Sequence, residues 1–334
     1  MSSIVAVSNL KGGVGKTDLS VNLSYCLSVL GKKVLLVDMD PLANLTDYLT
    51  RTPPNLTISN LLVEDSLKLD DVVLKTEFEN LDLVPSSMNL SVAQMQLVNE
   101  VNMQFRLRRK LRSVDKYDFV FIDTPPSLCV LTVNVLTAAY KLLVPVQTQF
   151  FALDGVAKLL SSTEKIREDV NPEITVAGYV LTMFDHRTCL SRDAEEKVRG
   201  AFGSKVFDTV IPVNVRLAEA PSFHKPVLAY APTCSGALAY MKLAKEWLER
   251  YGSSSSEAKA EAATGISVDA SLQARDDVRL WASDNSLTPT ANSMSQVQTA
   301  EQTSSESPNV STPPIVAHSG LRKRLAEVLF ARKS

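Results

Sequence analysis

Long apolar runs are missing from this chain. Nowhere do about 18 hydrophobic residues follow one another, the length that a membrane-spanning helix needs. Cysteine is scarce: Cys26, Cys129, Cys189 and Cys234 are scattered, with no CxxC pair, so neither a disulfide framework nor a cysteine metal cage is expected. Histidine is scarcer still. His186, His224 and His318 are far apart, which argues against a zinc site and against a Ser–His–Asp centre. Neither sign of charge dominates, with 35 basic and 37 acidic side chains and a net charge of -2. Any nucleic-acid contact must therefore come from a local basic face. The N-terminal MSSIVAVSNLKGG lacks the charged start and long apolar core of a secretion signal. A reduced, cytoplasmic protein is the expectation.

What is present changes character once. Of the 334 residues, 1–251 alternate apolar runs with helical patterns, whereas 22 of the last 83 residues are Ser or Thr. Residues 252–318 bury too little apolar surface to offset chain entropy and are expected to be a disordered linker. Residues 319–334 differ, since LRKRLAEVLF sets Leu321, Leu325, Val328 and Leu329 at helical spacing among Arg322, Lys323 and Arg324. That short basic amphipathic segment suits a protein partner, with an anionic membrane surface as the less favoured alternative.

Within 1–251, seven runs read as strands: 4–8, 34–37, 81–84, 119–122, 141–146, 175–182 and 205–211. Most are apolar throughout, as in strands buried on both faces of a parallel sheet. Helical stretches lie between them, near 15–30, 89–113, 130–138, 154–169, 190–201 and 235–250. The alternation predicts an α/β fold: a doubly wound, mostly parallel sheet with helices on both faces.

Residues 11–17 read Lys-Gly-Gly-Val-Gly-Lys-Thr, after the first strand and before the first helix. This is the setting of a phosphate-binding loop. Gly12, Gly13 and Gly15, with Val14 among them, let backbone N–H groups turn inward around phosphate oxygens. The following helix aims its positive end at the same anion. Lys16 is expected at the β- and γ-phosphates of ATP and the Thr17 hydroxyl on Mg²⁺. Two acidic sites follow. The second strand ends in Asp38-Met39-Asp40, and YDFVFIDTPPS puts Asp123 at the end of a later apolar strand. Carboxylates there sit beside the phosphate loop in a doubly wound sheet. Asp123 is a candidate holder of Mg²⁺.

KGGVGKT resembles the deviant Walker A motif of the ParA/MinD family of ATPases. DMDPLANLTDYL is similar to that family's DxDPQxNxT switch, and Thr124-Pro125-Pro126-Ser127 to its second switch. Residues 144–155 resemble its VPVQxExxALxG stretch. Residues 207–230, FDTVIPVNVRLAEAPSFHKPVLAY, resemble the ParA/Soj branch, and the likeness runs from about 3 to 250. The resemblance implies a P-loop ATPase that forms an ATP sandwich dimer, binds DNA without sequence preference, associates with the nucleoid, and hydrolyses ATP weakly until a ParB-type partner stimulates it. It implies that Lys11 reaches across the dimer to the partner's nucleotide. Asp40 would position or activate the attacking water, and Asp38 would support the loop and the Mg²⁺ shell. Met183, Pro212 and Asn214 would lie by the adenine. Arg187 and Arg216, with Lys225, would contact DNA phosphates. A MinD-like membrane-associated positioning ATPase is the alternative, and a metabolic phosphotransferase a more distant one.

The sequence departs from the family at several places. Asp18 stands where a hydroxyl residue is usual, close to the α-phosphate, where its charge would repel nucleotide. Leu42 replaces Gln in the first switch. Val213 replaces Arg beside Asn214, and Thr233 and Ser235 replace two further arginines. The run Arg106, Arg108, Arg109, Lys110, Arg112 suggests a DNA patch, but it spreads its charge around a helix and is read instead as a solvated face.

Overall fold

The computed structural model describes residues 2–149 and 152–252, without the side chains of residues 113, 152 and 154. The linker and terminal segment expected beyond residue 252 lie outside the described residues. The elements are β1 (Ser3–Val7), α1 (Lys16–Val29), β2 (Val34–Asp38), α2 (Asn44–Leu49), α3 (Ile58–Val63), α4 (Leu69–Val72), β3 (Leu74–Lys75), β4 (Leu81–Val84), α5 (Asn89–Val98), α6 (Arg106–Lys110) and β5 (Phe119–Asp123). Then follow α7 (Val130–Ala138), β6 (Lys141–Gln147), α8 (Ala152–Asp169), β7 (Thr175–Thr182), α9 (Cys189–Phe202), α10 (Val215–Glu219), α11 (Val227–Tyr230) and α12 (Ser235–Tyr251).

The strands form one sheet in the order β3-β4-β2-β5-β1-β6-β7. All neighbours pair in parallel except β3 with β4. Successive side chains of a strand point to opposite faces, and here both faces are covered. Ile4, Ala6, Leu35, Val37, Val120 and Ile122 enter a core beneath α3, α5, α7 and α8. Val5, Val7, Val34, Leu36, Phe119 and Phe121 enter a second core beneath α1 and α12. That two-sided burial is why the strands read as unbroken apolar runs.

Two expectations from sequence need correction. The run 205–211 is not a regular strand. Phe207 N–H and Ile211 N–H do donate to Tyr179 and Leu181 of β7, at 2.9 and 2.8 Å. Between them the Asp208 and Thr209 N–H groups donate instead to the Glu246 carboxylate of α12, at 2.8 and 3.0 Å. A side chain takes the bonds that a ladder would need. The helix expected over 89–113 is broken after Val98, and Asn102 adopts a left-handed backbone with φ 59°. Asparagine tolerates that conformation better than most residues.

β1 lies between β5 and β6, and the chain leaves it toward β2 on one side and reaches β6 on the other. Such a switch point opens a crevice at the C-terminal ends of the strands, where α/β sheets bind ligands.

Candidate functional site

The crevice is filled by the loop from Ser8 to Gly15. Gly13 and Gly15 take φ 70° and 82°, a region that disfavours any side chain. Gly15 also stands at the N-cap of α1, with no side-chain cap, so the helix presents its first N–H groups to the crevice. Three bonds hold the loop in shape. Asn9 Oδ1 accepts from Lys11 N–H at 3.0 Å, and Asn9 Nδ2 donates to the Pro145 carbonyl at 2.8 Å. Thr182 Oγ1 donates to the carbonyl of buried Val14 at 2.8 Å. The buried Lys16 ammonium lies 3.4 Å from the Lys11 carbonyl.

Asp38 and Asp123 end adjacent strands in register. Thr17 Oγ1 donates to Asp123 Oδ2 at 2.7 Å, and Ser20 Oγ to Asp123 Oδ1 at 3.2 Å. Burial pushes the Asp123 carboxyl up to about 7 and the charge of Asp38 adds to this, against Thr17, Lys16 and Ser20. Burial likewise pushes the Lys16 ammonium down, opposed by Asp123 and Asp40. Asp38 is pushed up to about 6, again chiefly by burial. Two buried carboxylates, Asp123 and Asp40, thus act on one ammonium, and Asp38 adds a third negative charge beside Asp123. That imbalance and the set of hard oxygen donors, Thr17 Oγ1 and Asp123, suit a magnesium ion held jointly with phosphate oxygens.

Asp38 itself faces its own loop. Oδ2 accepts from Thr46 N–H and Oγ1 at 2.9 and 2.7 Å, and Oδ1 from Asp40 N–H at 3.1 Å. Asp40 accepts from Leu42 N–H at 2.9 Å through Oδ1, while its carbonyl receives Ser86 Oγ at 2.8 Å. Leu42 is 59% exposed. Thr124 Oγ1 fastens the second switch to the Val7 carbonyl at 2.9 Å. Asn9, Ser20, Ser86 and Thr182 are supporting residues that motif reading misses, while Thr46 is the threonine of the DxDPQxNxT-like switch. Of the missed residues, Ser20 alone carries a sequence signal, three residues after Thr17 on the same helical face.

The other expected residues are spread. Met183 has φ 52°. Its methyl lies 3.9 Å from the position that a Cβ on Gly15 would occupy, so it borders the loop. Pro212 bridges to Phe184 next to it. Asn214 caps α10 by accepting from Arg216 N–H at 2.8 Å and donates to Ser235 Oγ at 2.7 Å. Asp18 is half-buried, and burial pushes its carboxyl up to about 6. Its charge reaches the buried hydroxyls of Tyr48 and Tyr240.

Arg187 is exposed and grips Asp185 with two bonds of 2.9 and 2.8 Å. Arg216 reaches Glu219 at 2.7 Å, and Glu219 also accepts from the Tyr230 hydroxyl at 3.0 Å. Exposed pairs of this kind are weak and screened by water, so a phosphate can exchange with the carboxylate. Lys225 is half-buried, in the bend that precedes α11.

An AAA-domain family model matches residues 2–176. The chain is 43% identical over 249 residues to the sporulation initiation inhibitor protein Soj of Bacillus subtilis, covering 74% of this chain and 98% of that protein. It is 44% identical over 252 residues to the chromosome partitioning protein ParA of Caulobacter vibrioides, covering 74% and 94%. This chain belongs to the ParA/Soj family of ATPases. Among solved structures, it resembles a cobyrinic acid a,c-diamide synthase from Mycobacterium smegmatis with bound ADP and magnesium. That likeness has a TM-score of 0.66 and 31% identity, over 76% of this chain and 96% of the other. Family membership, with relatives solved with an adenine nucleotide and magnesium, makes ATP and Mg²⁺ the cofactors. Among the described residues no helix is long and apolar enough to cross a membrane.

Proposed function

We propose that the protein is an ATP-driven partition switch. It binds Mg-ATP at the phosphate loop, closes into an ATP sandwich dimer, coats nonspecific DNA on the nucleoid, and lets go when a ParB-type partner stimulates hydrolysis. The observation that carries this reading is the meeting of Lys16, Thr17, Asp123 and Asp40 at the C-terminal ends of β1, β2 and β5, with Lys11 at the loop's entrance. Family membership supports the rest.

Thr17 and Asp123 would hold the magnesium ion, which supplies charge neutralisation for the phosphates. Lys16 neutralises the β- and γ-phosphates from a buried position where water screens it little. Lys11 of each protomer adds a second cation to the other's nucleotide, so dimer and nucleotide stabilise each other. Asp40 orients the attacking water for in-line displacement. Its loop is tied through Asp38, Thr46 and Ser86 to the ends of β2 and β4. Loss of the γ-phosphate therefore releases a loop that the dimer needs. Arg187 and Arg216 exchange their carboxylate partners for DNA phosphates.

Asp40→Ala is expected to keep ATP and DNA binding and to lose turnover, measured as phosphate release with and without DNA. Turnover at the wild-type rate would refute the role of Asp40.

A further inference from the structure

The basic run at 106–112 does not act as one solvated face. Arg106 pairs with Glu100 and Asp65. Lys110 Nζ donates to the Glu64 and Leu67 carbonyls, both at 2.7 Å. These two side chains bolt α6 onto the segment after α3. Arg108, Arg109 and Arg112 instead line a separate concavity of about 420 Å³, together with Asn102 and Phe105. That volume falls within the range of small-molecule sites.

The charges in this concavity are poorly balanced. Arg108 has a carboxylate partner, Glu173, at 3.5 Å, and Glu173 is 60% exposed. Arg109 donates only to the neutral Asn102 carbonyl, at 3.2 Å. Arg112 has no ion-pair partner among the described residues. Three guanidiniums therefore face one carboxylate, and a dianion would complete the set. Guanidinium forks match phosphate geometry and bind it through paired N–H groups.

We propose that this concavity binds a nucleoside phosphate, at a site distinct from the phosphate loop. The arginines take the phosphate. Half-buried Phe105 supplies a ring on which a base stacks, and the exposed Asn102 carboxamide can pair with a base edge. Duplex DNA would present only its outer phosphates and leave the ring unused. A free nucleotide or the unpaired end of a strand uses every part of the site. The concavity also lies away from the crevice. Glu173 lies two residues before β7, and the Val114 carbonyl, two residues after Arg112, accepts from the hydroxyl of Ser2, the residue before β1. The pocket thus sits toward the N-terminal ends of the strands, and the phosphate loop at their C-terminal ends.

Equilibrium dialysis of the full chain against labelled Mg-ADP, up to about 1 mM, tests this. Two equivalents are expected in the wild type. Lys16→Ala should lose the tight one and keep the other, which tests the phosphate loop independently. The double variant Arg109→Glu with Arg112→Glu should keep the tight equivalent and lose the second. Arg112→Ala, the milder variant, should weaken the second about tenfold, the loss of one charge-assisted pair. Saturation of the wild type at one equivalent would overturn the proposal, as would a second equivalent unchanged in both arginine variants. A 5′-phosphorylated thymidine hexanucleotide distinguishes the two sources. Competition with the second equivalent supports a strand end as ligand. Retention of the second equivalent in its presence supports the free nucleotide.

Discussion

Asp18 puts a carboxyl in the first turn of α1, where the helix dipole favours a negative charge and a bound triphosphate opposes it. Burial raises this carboxyl to about 6 from an ordinary 3.8. Above pH 6 the group is ionised whether the chain is folded or not, and the folded state bears the whole cost of burying the charge. As the pH falls from about 6 toward 4, the folded carboxyl protonates first and that cost disappears. Asp18→Asn should therefore raise the Tm of the nucleotide-free protein by several degrees at pH 8 and by little at pH 4. Equal shifts at the two pH values would contradict this. Asp18→Thr removes the charge near the phosphates and should lower the Kd for ATP at pH 8, by isothermal titration calorimetry; an unchanged Kd would show that the carboxyl does not touch nucleotide affinity. Much of the candidate site was legible at this scale, because Lys16, Thr17 and Asp123 are fixed by the spacing of a loop and the end of a strand. Asn9, Ser86 and Thr182 were not, because each donates to a backbone carbonyl far away in the sequence, that of Pro145, Asp40 and Val14.

Among the elements, the segment 205–211 shows where apolar pattern stops deciding structure. Its residues suit a strand, and two of its N–H groups do reach β7. The outcome is decided by Glu246, from an element 38 residues later than Asp208. Burial pushes the Glu246 carboxyl up, but the bonds from Thr209 and Asp208 and the charge of Arg250 outweigh it and leave the carboxyl lowered. Its stabilising contribution is therefore present above its ordinary 4.5 and is lost as the pH falls through the lowered value. Glu246→Ala should destabilise the fold by about 2 kcal/mol at pH 7 and by less below pH 4, measured by urea unfolding. A penalty independent of pH would point to lost packing instead. The break after α5 has the opposite origin. Leu90, Ala93 and Leu97 continue in helical phase to Leu107 and Leu111, all buried, so periodicity alone predicted one helix. The left-handed backbone of Asn102 is a local event that the apolar pattern does not encode. The strand–helix alternation, by contrast, was legible throughout, since both faces of the sheet are buried and every central strand is apolar as a result.

For the whole molecule, the two proposed sites lie at opposite ends of the sheet. The proposed nucleotide site lies at the C-terminal ends of the strands, where Thr124 Oγ1 ties the 124–127 segment to the Val7 carbonyl of β1. Arg187 and Arg216 lie on segments that follow β7 and border Met183, Phe184 and Asn214, so the proposed nucleotide and DNA sites would be coupled through that edge. The most direct test is binding to random-sequence duplex DNA with Mg-ATP, with Mg-ADP and without nucleotide, at 50 and 200 mM salt. A switch of the kind described binds only with Mg-ATP, loses affinity steeply with salt as phosphate contacts release their counterions, and fails in Arg216→Ala. Equal binding in all three nucleotide states, or none in any while ATP still binds, would contradict it.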